Sequence, residues 1–166
     1  MVATRDDFEV WYRRSFRRLA ASLAIVAGDL DGGREAAAEA CCRALERWDR
    51  VGLMESPEAW AYRVGVNVLR RRQRRAALEL RLLRRGLTQA SQRPAMDPEV
   101  WDAVRALPPR QRQAIALRYL LDLTQAEVAE SMGVAPGTAA ATLVSARRRL
   151  AEHLDPGRRT TEVEHG

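Results

Sequence analysis

Apolar residues recur at three- and four-residue steps along most of the chain, and the recurrence breaks at a few points rich in glycine or proline. Phe8, Trp11, Tyr12, Ser15, Phe16, Leu19, Leu23 and Val26 share one face of a helix predicted from about Asp7 to Ala27. Thr4 or Asp6 can cap its start. The stretch from Gly28 to Gly33 reads as a flexible turn. A second helix is predicted from Arg34 to Trp48, with Ala37, Cys41, Ala44, Leu45 and Trp48 as its buried stripe. Glu35, Glu39, Arg43, Glu46 and Arg47 lie on or beside its other face. After a loop over 51–57, Ser56-Pro57-Glu58 supplies a cap, a first-turn proline and an acid at the positive end of the helix dipole. That third helix carries Trp60, Val64, Asn67, Val68 and the run Arg70-Arg-Arg-Gln-Arg-Arg75, and continues through Leu78, Leu82 and Leu83 towards Gly86.

Periodicity is lost over residues 86–96, which read as a linker between domains. Asp97-Pro98-Glu99 opens a short helix with Val100, Trp101 and Val104, and Leu107-Pro-Pro109 ends it. Pro109 to Leu121 forms the next, burying Ala114, Ile115, Leu117 and Leu121. The expected fold is all-α: two small helical bundles, 1–85 and 97–155, joined by the flexible linker 86–96 and followed by a polar tail over 156–166.

Residues 124–154 read as a helix-turn-helix. Ala129 is small where two helices must approach closely, and Gly133 follows four residues later where the turn favours φ > 0. Val128, Met132 and Val134 supply the apolar contacts of the first helix and turn; Leu143 and Leu150 supply those of the second. Pro136 suits the first turn of the second helix, where its missing N–H would be unpaired anyway. A helix presented in this way lies in the major groove of DNA, although an ordinary helical corner can show the same spacing.

Charge strengthens the nucleic-acid reading. All 28 basic residues are arginine. Residues 1–93 hold 19 of them against 12 acids, whereas residues 94–166 hold nine against 10. Residues 60–93 alone carry 10 arginines against Glu79. Guanidinium groups suit phosphate forks and base stacking, and an unbalanced run of them calls for a polyanion. Cys41 and Cys42 are adjacent on a helix, their side chains diverge, and neither His153 nor His165 adds ligand-like spacing, so no metal is expected. No Gly-rich phosphate loop or nucleophile–base pair is found, so an enzyme and a cofactor are not expected. No apolar run is long enough to span a membrane and the N-terminus lacks the apolar core of a signal peptide, so a cytoplasmic protein is expected.

The string from Leu107 to Gly133, with Gly137-Thr138 and Ser145-Ala-Arg-Arg-Arg-Leu150, resembles region 4 of extracytoplasmic-function (ECF) sigma factors of bacterial RNA polymerase. Glu39-Ala with Arg43-Ala-Leu-Glu-Arg-Trp48, then Ser56-Pro-Glu-Ala-Trp-Ala-Tyr-Arg63, Asn67 and the arginine run, resembles region 2. The resemblance spans about residues 5–155. It implies a factor that binds core RNA polymerase and directs it to promoters. It implies that a region 2 face built on Glu35, Glu39, Arg43, Glu46 and Arg47 meets polymerase. Arg63, Asn67, Arg70, Arg71 and Arg74 would hold the melted −10 strand, beside a loop at 51–56 that could enclose a flipped base. The −35 duplex would meet Pro136, Gly137, Thr138, Ala139, Ala140, Thr142 and Ser145, with Arg147, Arg148 and Arg149 on phosphates. An anti-sigma partner is also implied as a possibility by the resemblance.

The chain departs from the family pattern at informative places. Glu35-Ala-Ala-Ala38 stands where Asp-Leu-Val-Gln is common, and Arg71 where an Asp is common. The recognition helix begins with Ala135 rather than Ser and is rich in alanine over 139–141. Alanines touch thymine methyls but make no bidentate base contacts, so weak or unusual −35 reading is expected, with Thr138, Thr142 and Ser145 as the remaining polar candidates. A stand-alone helix-turn-helix regulator and a degenerate sigma-like polymerase-binding protein are the alternatives. The former would need a dimer seam, and no heptad stretch supplies one.

Overall fold

The first helix, α1 (Arg5–Ala27), starts on a capping box. The Thr4 hydroxyl accepts from the Asp7 N–H at 3.3 Å while the Asp7 carboxylate accepts from the Thr4 N–H at 2.8 Å. The Thr4 N–H, then its hydroxyl, hold the Asp7 carboxyl below its ordinary range. The helix stops at Gly28, whose φ of +85° returns its N–H to the Ala24 carbonyl at 2.8 Å. The computed structural model describes residues 3–83 and 97–155, with side chains through residue 76 in the first stretch. The expected linker 86–96 and tail 156–166 lie outside the described residues.

The second helix begins earlier than the glycine-rich sequence suggests. α2 spans Leu30–Leu45, capped by Asp29, whose carboxylate accepts from the Gly32 N–H at 2.6 Å. Gly32 and Gly33 are therefore helical rather than part of a turn. Gly33 serves a close approach: a Cβ there would sit 2.4 Å from the Ala24 N of α1. Small buried residues Ala36, Ala37, Ala40 and Ala44 continue that contact along α2. Leu45, expected in the buried stripe, is 42% exposed because α2 ends there. A separate turn, α3 (Trp48–Val51), then carries Trp48 onto Phe8 and Trp11, with ring centroids 5.2 and 5.1 Å apart. The long α4 (Pro57–Leu83) is capped by Ser56, which accepts from the Ala59 N–H at 3.2 Å. It completes the bundle by burying Tyr62, Val66 and Leu69, with Gly65 making room for Leu23.

The second bundle opens with α5 (Pro98–Ala106), capped by Asp97. α6 (Pro109–Ile115) runs into a π turn over Ala116–Leu120 rather than continuing as the expected α-helix to Leu121. The Leu121 N–H accordingly reaches back five residues, to the Ala116 carbonyl at 3.2 Å. α7 (Gln125–Met132) has its own capping box, Thr124 with Glu127, and ends at Gly133 with φ +64°. α8 (Pro136–Leu154) begins at Ala135, which offers no side-chain cap. Val128, Ala129, Ala139, Leu143 and Ala146 are buried between α7 and α8. No strand occurs among the described residues.

The two bundles touch. Ala24 and Ile25 of α1 are buried with Trp101, Val104 and Ala116 of the second bundle. Arg18 on the same face of α1 donates from Nε to the Leu120 carbonyl at 2.6 Å.

Candidate nucleic-acid interface

Three surfaces bear the residues expected to act. The first is α4. Arg63, Asn67, Arg70 and Arg74 follow one another at steps of four, three and four residues and so form one stripe along the helix. Asn67, Arg70 and Arg74 are exposed, and Arg63 is half-buried. Tyr62 and Val66 lie beside the stripe; burial pushes the Tyr62 hydroxyl up, with Arg70 opposing it. Arg71, expected on the same stripe, lines a different groove with Glu39, Arg43, Val68, Arg72 and Arg75. The helical rotation of about 100° per residue carries it round from Arg70. Trp60 and Trp48 pack with the core, as their spacing suggests.

The second surface is the outer face of α2. Glu39 accepts from Arg43 Nη2 at 2.7 Å, and Glu35 is paired with Arg72 of α4. Glu46 and Arg47 are exposed in the connection to α3. The face expected to meet polymerase is thus a mosaic of both signs, tied to the back of the arginine helix. The loop leading into α4 exposes Leu53 and Met54, beside a cavity of about 450 Å³ lined also by Val10, Trp11 and Trp48.

The third surface is α8. Pro136, Gly137 and Thr138 are exposed at its N-terminus, and Arg147, Arg148 and Arg149 are exposed further along. Ala139 is not available: it is 0% exposed and packs in the bundle core, because its register aligns it with Leu143 and Ala146 rather than with Thr138. Ala140 is half-buried. Two of the three polar candidates have internal engagements. The Thr142 hydroxyl donates to the Thr138 carbonyl at 2.7 Å, and the Ser145 hydroxyl accepts from Gln111 Nε2 at 3.1 Å. The third, Thr138, is exposed.

Two carboxylates that the motif reading passed over lie on α7. Glu130 is paired with Arg63 at 3.3 Å across the two bundles. Burial works against the charge on Glu127, but hydrogen bonds from Thr124 and from the Ser56 hydroxyl of the first bundle win and lower its pKa. The available signal was the charge asymmetry between the two halves. Among the described residues no group of His, Cys, Asp and Glu is arranged to hold a metal ion, and no helix is long and apolar enough to cross a membrane.

Residues 98–150, the second bundle, match the sigma-70 region 4 family. The family match falls on α5 to α8 and so includes the helix-turn-helix. A solved structure of the sigma factor RpoE in complex with the anti-sigma factor NepR, from Bartonella quintana, is similar over 90% of this chain and 97% of that one, at 21% identity and a TM-score of 0.77. The all-helical fold of this chain is thus similar to that of a solved sigma factor along nearly its whole length. A chain of the RsbN–BldN complex aligns over 89% of this chain and 91% of that one, at 23% identity and a TM-score of 0.35. No curated protein sequence matches.

Proposed function

We propose that this protein is a sigma-70-family sigma factor of the ECF type that binds core RNA polymerase and directs promoter recognition and transcription initiation. The observation that carries the reading is the pairing, in one chain, of a region 4 helix-turn-helix with a separate arginine stripe, Arg63, Asn67, Arg70 and Arg74. A duplex reader alone has no use for the second surface. The stripe suits a melted −10 strand, because guanidinium groups track phosphates and stack on unpaired bases. The mixed-charge face of Glu35, Glu39, Arg43, Glu46 and Arg47 suits a protein partner, which we take to be polymerase. Arg71 joins that face rather than the strand-binding stripe.

The α8 surface supports a reduced −35 role. Pro136, Gly137 and Thr138 approach the groove, and Arg147, Arg148 and Arg149 hold phosphates. With Thr142 and Ser145 bonded internally, most of the side chains that could discriminate bases are missing or engaged. Promoter affinity then depends on polymerase binding both bundles at once. The protein acts by binding rather than by turning over a substrate, works in the cytoplasm with polymerase, and is open to control by an anti-sigma partner.

Run-off transcription with core polymerase and a promoter library tests the proposal. Promoter-dependent transcripts are expected, and failure to associate with core polymerase sinks it. Replacing Arg70 and Arg74 with Ala should weaken promoter opening and lower the salt slope of single-strand binding by about 1.4, at about 0.7 per lost phosphate contact. An unchanged slope removes the stripe from the strand site.

A further inference from the structure

Five arginines that take no part in the three surfaces above line one groove. Arg13, Arg14, Arg17 and Arg18 lie on α1 and Arg34 on α2, around a cavity of about 550 Å³. On α1 the four form two rows with a spacing of four residues, Arg13 with Arg17 and Arg14 with Arg18. Phe16, Leu30 of α2 and Leu120 of the π turn give the same groove an apolar lining. Glu9 answers Arg13 and Glu58 answers Arg14, the latter at 3.3 Å, but neither acid lines the cavity. Arg18 gives its Nε to the Leu120 carbonyl at 2.6 Å. Arg17 and Arg34 are exposed and make no hydrogen bond or ion pair with any described residue. Five guanidiniums are thus met by two carboxylates, and cations gathered around a cavity repel one another until an anion enters.

We infer that this groove binds a nucleoside polyphosphate, with its phosphates on the arginines, Arg17 and Arg34 first, and its base on the apolar lining. The cavity has the size of a small-molecule site, which ordinarily measures about 300–1,000 Å³. Its chemistry asks for two things in one ligand. Planar guanidinium forks ask for several phosphate oxygens, and Phe16, Leu30 and Leu120 ask for a compact apolar group. The arginine rows extend over only about 8 Å of α1, at about 1.5 Å per residue, so the charge ends where a nucleic-acid strand would run on. An acidic helix about 10–12 Å across is too broad for the cavity. No carboxylate or histidine lines the groove, so the ligand is held rather than cleaved. The groove shares no residue with the stripe of Arg63, Asn67, Arg70 and Arg74, and the inference stands or falls apart from the strand-site reading.

The test titrates the full chain with ATP, without divalent metal, in a calorimeter at about 0.15 M salt. ATP is expected to bind one-to-one, and more tightly than either tripolyphosphate or adenosine. Arg17→Ala/Arg34→Ala should weaken ATP about ten-fold or more, because two charge-assisted contacts are lost. Arg50→Ala/Arg110→Ala removes the same charge from exposed positions outside the groove and should change the affinity by less than about two-fold, since salt screens distant charges. All four arginines are exposed, and circular dichroism checks that both variants fold. No saturable binding of ATP up to about 1 mM, or an equal loss in the two double variants, overturns the inference. Tripolyphosphate that binds as tightly as ATP also overturns it, because the apolar lining then recognises nothing. So does a mixed-sequence single-stranded DNA 12-mer whose affinity falls in Arg17→Ala/Arg34→Ala while that of ATP does not, since the groove then belongs to nucleic acid.

Discussion

The start of the recognition helix offers a substitution whose size can be worked from the structure. An α-helix begins with four N–H groups that lack intrahelical partners. In α8 one of them does not exist, because Pro136 has none. A second, that of Thr138, turns back to the Ala135 carbonyl at 2.9 Å, the carbonyl that also accepts the first ordinary i→i−4 bond from Ala139 at 3.1 Å. The Ala135 N–H belongs to the cap residue itself, so the one unpartnered N–H within reach of a side chain at 135 is that of Gly137, an exposed residue. Ala135→Ser would give that end of the helix a side-chain acceptor, on a residue whose φ of −65° and ψ of 148° already suit a cap. Caps of this kind contribute about 0.5–2 kcal/mol; with one solvated N–H left to satisfy, the gain should fall at about 0.5–1 kcal/mol. At about 2–4 °C per kcal/mol for a chain of this size, Ala135→Ser should raise the Tm by about 1–4 °C in a thermal melt followed by circular dichroism. Ala135→Asp should stabilise similarly in the free chain and yet weaken duplex binding, since its carboxylate faces the phosphates that the positive end of α8 would attract. If Ala135→Ser melts at or below the parent temperature, the helix start is not short of a cap and the argument fails. If Ala135→Asp binds a promoter duplex as tightly as the parent, this end of α8 does not approach the DNA backbone.

Other consequences follow from local geometry. Gly33→Ala should destabilise the first bundle by about 1–3 kcal/mol in urea unfolding, because the new methyl meets the backbone of Ala24 at 2.4 Å and the helices must move apart; a neutral result would show that the pair is not held that closely. At pH 8 a thiol reagent should modify Cys42 at once and Cys41 only on unfolding, since burial and the adjacent Cys42 push the Cys41 thiol up to about 12; two equally fast thiols would contradict the burial. The carboxyl of Glu127 is depressed below its ordinary 4.5, so it adds stability above that value that is lost as pH falls through the depressed one. Glu127→Gln should therefore flatten the fall of Tm between pH 5 and pH 3 (about two units of acid titration), and a parallel curve would remove Glu127 from the acid-sensitive contacts.

The parts legible in the sequence are those whose cause is local. The cap at Thr4, the starts at Ser56-Pro57 and Asp97-Pro98, and the turn at Gly133 each depend on a few adjacent residues, and each is found where the pattern puts it. The arginine stripe was legible as composition, but not which arginines share it: Arg71 leaves it because it lies about 100° round α4 from Arg70, on the side that shares a groove with Glu39 and Arg43 of α2. Gly32 and Gly33 misled for the opposite reason. Glycine marks both turns and close helix contacts, and only the position of Ala24 decides between them. Ala139 read as a groove residue from its place in the motif, although its register with Leu143 and Ala146 already assigned it to the core.

The contact between the bundles had no local cause and left a diffuse trace. Ile25 lies beside the apolar face read for α1, and it is buried in a cluster with Trp101 and Ala116, 76 residues or more further along the chain. No periodicity argument identifies the far partner of such a residue, because the pattern says only that it is buried. Electrostatics carries more information. The first half has a surplus of positive charge and the second half a slight negative one, and two of the second half's acids, Glu127 and Glu130, are three residues apart on the helix that meets α4. A surplus that must find anions can find them on DNA or within its own chain. The same arginines satisfy both demands, and for that reason the polyanion inference and the closed contact follow from one imbalance of charge.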